Sequence, residues 1–366
     1  MAGQRVVKGS VCLTIALPGI LLLAACASKP LVPFSTDTPP LILTTTALAG
    51  SEDKRARFRE IYCAVLERDG NQFPDYRRCE DALTLVGSEP TGTGRAVNFE
   101  PSKQHLTAAV VPGIGFECIE PWLAAAGTVP AHVRKYGYDM VSIKVDPLSS
   151  SARNARQIRD AIMAMPAQPG PPRLVLIGYS KGTPDILEAV VTYPEIRARI
   201  AAVVSAAGAV GGSPLANEAE QYQANLFRYF PSATCGPGDG GGVAALRTDV
   251  RKAWLAQNAL PRGLHYYSLV AFPKPERISS VLGSSYDKLS RIDARNDGQL
   301  IFYDQVIPGS GLMGYLNADH WAIAVPVARA HTTVGSILVT QNDYPREALA
   351  EAILRFVEED LAGSAN

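Results

Sequence analysis

The sequence predicts an α/β fold, a mostly parallel sheet covered by helices on both faces. Three observations carry this. From about residue 100 onward, short apolar runs alternate with longer segments whose apolar residues recur at helical spacing. That strand, helix, strand, helix order calls for a parallel sheet with both faces buried. Apolar residues make up 47% of the 366 positions, so a sizeable core can form. One serine stands between two glycines where an apolar run turns into a helical pattern, in RLVLIGYSKGTPDILEAVV over 173–191.

Residues 1–25 read as a signal rather than as fold. Arg5 and Lys8 supply positive charge, and an apolar stretch from Val11 to Leu23 is short for a membrane span. It ends in Leu23-Ala24-Ala25-Cys26, which resembles a bacterial lipobox. That resemblance implies cleavage before Cys26, lipid on its sulfur, and a place in the cell envelope. By resemblance to sorted lipoproteins, Ala27 in place of Asp implies the outer membrane rather than retention at the inner one. An ordinary secretory signal cut at the small residues is the other reading. Residues 26–52, rich in Pro, Thr and Ser, read as a tether.

Residues 53–99 are expected to form a small helical appendage. Phe58, Ile61, Tyr62, Val65 and Leu66 recur at helical spacing, and a second short helical piece spans Pro74 to Leu85. The main domain, 100–366, then runs in order. Leu106–Val111 is a strand. Ile119–Lys135 is a helix with a break near Pro130. Met140–Val145 is a strand, and Ala152–Met165 a helix with Ile158, Ala161, Ile162 and Met165 on one face. Leu174–Ile177, Ile200–Ser205, His265–Phe272 and Gly311–Leu316 are strands. Thr183–Tyr193, Ile278–Ile292 and Pro345–Leu361 are helices. The rhythm breaks over 210–262, with two helical pieces around CGPGDGGG. So long an insertion reads as a cap or lid, with Tyr222, Leu226, Phe227, Tyr229 and Phe230 either facing a substrate or forming ordinary core.

Lys plus Arg number 35, as do Asp plus Glu, so the net charge is zero with His neutral. This argues against nucleic acid as a partner. Of six cysteines, Cys12 leaves with the signal and Cys26 would be lipidated. The remaining Cys63, Cys79, Cys118 and Cys235 form an even set that suggests disulfides in an exported chain, and no spacing resembles a zinc site. Three pairings are possible. Proximity in sequence favours Cys63 with Cys79, leaving Cys118 with Cys235; four free thiols are the alternative.

Gly178-Tyr179-Ser180-Lys181-Gly182 is G-x-S-x-G at a strand, turn, helix junction, the context that gives this motif its meaning. A serine there is strained, its hydroxyl projects past the sheet, and the helix N-terminus beneath it favours developing negative charge. The flanking glycines remove clashes with the neighbouring strand and helix. Here the chain resembles the α/β-hydrolase family, specifically bacterial lipases and esterases, across roughly 100–361.

The resemblance implies a Ser…Asp/Glu…His order, with Ser180 as nucleophile. His105 and His132 precede the serine, His265 opens a strand, and His331 follows a helical stretch. His320 comes directly after the last strand, where the family places its base. Among Asp287, Asp293, Asp297, Asp304 and Asp319, the acid implied is Asp297, in an Asn-Asp-Gly loop past the preceding helix. That tripeptide also makes a good turn without any catalytic part. By resemblance, the main-chain N–H groups of Ile114 and Lys181 would hold an oxyanion, although Pro112-Gly113 stands where many relatives have His-Gly. The Lys181 ammonium either attracts an anionic substrate or, the preferred reading, reaches solvent.

The expectation is therefore a serine hydrolase of carboxylic esters, an esterase or lipase acting on a small ester or a lipid without metal or cofactor. A thioesterase, amidase or peptidase would use the same residues. A catalytically silent envelope-binding lipoprotein is the alternative from another class.

Overall fold

The computed structural model of the protein describes residues 31–37, 50–123, 128–166, 170–171, 173–218, 236 and 238–364. The elements in chain order are β1 (Glu52–Asp53), α1 (Arg55–Asp69), α2 (Cys79–Ala82), β2 (Thr107–Val111), α3 (Phe116–Leu123), α4 (Val129–Arg134), β3 (Asp139–Ser142) and α5 (Ser151–Ala164). There follow β4 (Leu174–Tyr179), α6 (Gly182–Thr192), β5 (Ile200–Ala206), α7 (Thr248–Gln257), β6 (His265–Ala271) and α8 (Gly283–Ser290). Then come β7 (Gly311–Leu316), α9 (Val327–Ala330), α10 (Thr332–Ile337) and α11 (Arg346–Ser364).

Among the described residues, the sheet has seven strands in the order β1-β7-β6-β5-β4-β2-β3, and each neighbouring pair is parallel. Alternate side chains of one strand feed two cores. Val175, Ile177 and Tyr179 of β4 join Ala202 and Val204 of β5 on the face covered by α1, α4 and α11. Leu176 and Val203 point the other way, toward Ile158 and Ile162 of α5 and Ile186, Leu187 and Val190 of α6. Both sets are apolar because both faces are buried, which is why these strands read as continuous apolar runs.

Several sequence expectations gain detail. Residues 53–99 pack closely into the main domain. Phe58, Ile61, Tyr62, Val65 and Leu66 are each at most 2% exposed and share one core with α11 and the sheet. Glu52–Asp53 extends the sheet by pairing with β7. The tether is also docked in part: Phe34 packs edge-on against Phe272 at 5.6 Å, and Val32 accepts a hydrogen bond from the Ala294 N–H at 3.0 Å. The break expected near Pro130 within Ile119–Lys135 is present: α3 and α4 are separate helices, and Pro130 lies in the first turn of α4, where a missing N–H costs nothing.

In the 210–262 insertion, Glu218–Tyr229 and its aromatic residues lie outside the described residues except for Glu218. The glycine-rich end is anchored. Asp239 accepts from the Ser150 N–H (2.7 Å) and hydroxyl (2.5 Å), and the Gly242 N–H donates to the Leu148 carbonyl at 2.8 Å. Ser150 in turn caps α5 by accepting from the Arg153 N–H at 3.3 Å. Cys63 and Cys79 form a disulfide, as expected. Cys118 is also disulfide-bonded, whereas Cys235 lies outside the described residues, as do Cys12 and Cys26. Among the described residues, no helix is long and apolar enough to cross a membrane.

Candidate active site

Ser180 follows β4 directly and has φ +53°, a backbone conformation that non-glycine residues seldom adopt. The surrounding structure over-determines this strain. Ala209 N–H donates to the Ser180 carbonyl at 2.9 Å, and the Thr183 hydroxyl donates to the Gly178 carbonyl at 2.7 Å. A Cβ on Gly178 would lie 2.5 Å from the Thr183 Cα, and one on Gly182 would lie 2.0 Å from the Val111 carbonyl oxygen. The two glycines therefore let the elbow close against its own helix on one side and against the neighbouring strand on the other.

His320 and Asp297 come to the same carboxyl end of the sheet. His320 Nε2 lies 2.9 Å from Ser180 Oγ, and Nδ1 lies 2.7 Å from Asp297 Oδ2. An ionised carboxylate only accepts, so Nδ1 carries the hydrogen and Nε2 offers its lone pair to the serine hydroxyl. Asp297 is fully buried and its oxygens are well served. Oδ1 accepts from the N–H groups of Gln299 (2.9 Å) and Leu300 (2.7 Å), and Oδ2 also accepts from Gln305 Nε2 at 3.3 Å. Turn chemistry and site geometry coincide here: the Asn296 side chain accepts from the Gly298 N–H at 3.0 Å, and Gly298 has φ +88°. The backbone ties the same pair again, with His320 N–H donating to the Asp297 carbonyl at 2.9 Å.

The other acidic candidates do different work. Asp319 is fully buried and accepts from the N–H groups of Ser279 (2.9 Å), Trp321 (3.1 Å) and Ala322 (2.8 Å), so it shapes the loop that carries His320. Asp293 pairs with Arg295. Burial pushes the Asp304 carboxyl up to about 7. Of the other histidines, His132 is buried against Glu351 at 2.8 Å.

The loop after β2 completes the site. A Cβ on Gly113 would lie 2.9 Å from the Ser180 Cβ, so glycine allows the loop to reach the serine. Among the described residues, neither the Ile114 N–H nor the Lys181 N–H is engaged in a hydrogen bond. Ile114 packs beside Ala209, Ala216, Val243, Leu246 and Leu300, a small apolar wall. The Lys181 ammonium is a correction. It neither reaches solvent nor faces the site mouth, but is 1% exposed and paired with Asp185. Two contributors were not legible in the sequence. Gln305 belongs to a short turn with no motif. Tyr179 donates its hydroxyl to the His320 carbonyl at 2.7 Å, and its ring lies 5.1 Å from the imidazole.

Asp69, His132 and Glu351 bring three potential metal-ligand atoms within 4.8 Å of one another. Glu351 already accepts from Arg68 (2.9 Å) and Arg355 (2.6 Å), and Asp69 from Tyr136 (2.6 Å). Two guanidiniums at the group make it an ion-pair cluster and a poor cation site.

The chain matches no sequence-family profile and no curated protein. Among solved structures, it is similar to the metagenomic carboxyl esterase MGS0156, at 37% identity and a TM-score of 0.79, over 89% of this chain and 97% of that one. It is also similar to the mature Bacillus licheniformis lipase BlEst2, at 20% identity and a TM-score of 0.51, over 62% of this chain and 89% of that one; this second likeness concerns the fold alone.

Proposed function

The chain belongs to the α/β-hydrolase family and is a hydrolase, and from that premise we propose that it cleaves carboxylic esters through a covalent acyl-enzyme. One observation carries the reading: a continuous Ser180–His320–Asp297 hydrogen-bond chain opens beside two unengaged main-chain N–H groups. The similarity to a carboxyl esterase favours esters over thioesters and amides.

In the proposed reaction, Ser180 Oγ attacks the ester carbonyl as His320 Nε2 takes its proton. The carbonyl oxygen gains negative charge and is held by the N–H groups of Ile114 and Lys181, each such donor being worth about 3 kcal/mol of barrier. Asp297 holds the imidazole in the right tautomer and stabilises its cation. His320 returns the proton to the leaving alcohol. Water then attacks the acyl-enzyme by the same route and frees the acid. The apolar wall beside Ile114 suits an uncharged acyl group.

A fluorophosphonate probe, with p-nitrophenyl esters of increasing chain length, tests this. The parent should be labelled at Ser180 and hydrolyse the esters, and Ser180→Ala should do neither. A parent that stays unlabelled and inactive would point to a silent binding protein. We also read Cys26 as the lipid-bearing residue of an envelope protein, from the LAAC ending of the apolar stretch. Cys26→Ser should leave an uncleaved or soluble protein; processing and membrane association equal to the parent's would refute this.

A further inference from the structure

The elbow carries a buried ion pair that the reaction scheme does not use. Lys181 Nζ lies 2.8 Å from both carboxylate oxygens of Asp185, one helical turn on, and each side chain is 1% exposed. Asn154 of α5, also 1% exposed, donates to Asp185 Oδ2 at 2.7 Å. The backbone repeats the link, because the Asp185 N–H donates to the Lys181 carbonyl at 3.2 Å. Asp185 thus holds the carbonyl and the ammonium of Lys181. The Lys181 N–H is left over, immediately after the strained Ser180.

A buried ion pair is weak evidence for stability, since desolvation of two charges can exceed their attraction. Nor can this ammonium bind an anionic substrate, since it is out of reach of solvent. The pair does constrain direction. Lys181 sits at φ −59° and ψ −27°, and those torsions aim its N–H. Asn154 ties the arrangement to a separate helix, and the contact of Gly182 with the Val111 and Pro112 carbonyls sets its spacing from the Ile114 loop.

Resting on the ester-hydrolase reading, we propose that Lys181, Asp185 and Asn154 form a positioning unit that aims the Lys181 main-chain N–H at the oxyanion. The three side chains touch no substrate and act through the backbone. Their loss should spare substrate binding and the serine–histidine pair, and weaken the hold on the tetrahedral state.

The test uses the full-length protein and a double variant, Lys181→Met with Asp185→Leu, which leaves no orphaned charge. Three quantities are measured: kcat and KM for a p-nitrophenyl ester, and the inhibition constant of a trifluoromethyl ketone, whose adduct with Ser180 places an oxyanion in the hole. We expect KM to stay within about twofold and kcat to fall by about 10²-fold, with ketone affinity falling in proportion. Parental kcat and ketone affinity in the double variant would overturn the proposal, as would a fall in kcat with ketone affinity unchanged. Asn154→Ala keeps the ion pair and frees it from α5. It should lower both readouts together by a smaller factor, and an unchanged ketone constant there overturns the proposal even if the double variant does not fold. A parent that the fluorophosphonate does not label would instead remove the underlying reading of the site.

Discussion

Two clusters of buried charge lie on opposite faces of the sheet, and they hold different things. On the α5–α6 face, Lys181, Asp185 and Asn154 surround the elbow of Ser180. On the α1–α11 face, Glu351 of α11 gathers Arg68 of α1 (2.9 Å), His132 of α4 (2.8 Å) and Arg355 (2.6 Å). Burial alone would raise the Glu351 carboxyl, but the bonds from His132 and Arg355 hold it below the usual range. The first cluster is short in sequence and adjoins the site. The second joins residues 283 and 219 positions apart, and so binds the start of the chain to its end. Buried charge near the serine serves direction; buried charge on the far face serves closure of the fold. Stability and activity should therefore respond separately to substitution.

The largest separation is expected at Asp297→Asn. The amide oxygen can still accept from Gln299 and Leu300, so the fold should hold, while turnover should fall by about 10⁴ as the imidazole loses its anion. Steady-state kinetics beside a thermal melt decides this. Near-parental turnover in that variant, with loss in Asp304→Asn, would move the acid elsewhere.

Glu351→Ala should do the reverse. Removing one partner of a buried ionic cluster costs about 3–5 kcal/mol, because the remaining charges are left uncompensated. Urea unfolding should show that loss, while kcat per folded molecule stays parental. A large fall in kcat without loss of stability would erase the distinction between the two clusters.

The Cys63–Cys79 disulfide closes a loop of 16 residues on the same far face. Replacing both cysteines by serine should cost about 3 kcal/mol, from the freedom regained by the unfolded chain. Activity at low temperature should be untouched. Peptide mapping without reduction checks the bond itself.

A further effect is one of pH. Burial pushes the carboxyls of Asp304 and Glu117 up to about 7, so each keeps its proton in the folded state after the unfolded chain has released it. The folded state then binds more protons, and stability falls as pH rises from the unfolded carboxylate range toward about 7, levelling off above it. Asp304→Asn should flatten the melting temperature between pH 5 and pH 8. An equally steep curve in that variant would remove Asp304 as a source of the slope.

Much of the site was legible because the signals were local. The strand into Gly178-Tyr179-Ser180-Lys181-Gly182, the turn at Asn296-Asp297-Gly298 and the position of His320 just past Gly311–Leu316 each need only a few neighbouring residues and their chain order. Parallel strands then bring all three to one end of the sheet. Gln305 carries no such local signal, because it reaches the Asp297 carboxylate only after the β6–β7 connection folds over it. The edge pair Glu52–Asp53 is too short and too polar to read as a strand, and exists because β7 offers a free edge.

The sequence by itself determined the periodicities, the strained serine between small residues and the chain order of Ser180, Asp297 and His320. Tertiary structure alone decided which charges are buried. Lys181 and Asp185 stand at i and i+4 in plain view, a spacing that suits solvent-exposed pairs as well as hidden ones. Asn154 and the surrounding α5 packing take that pair out of water. Likewise, the helical face of Phe58 to Leu66 marks an amphipathic helix, but only its contact with α11 makes it part of the core. Periodicity is a property of neighbouring residues, whereas desolvation depends on what arrives from far along the chain.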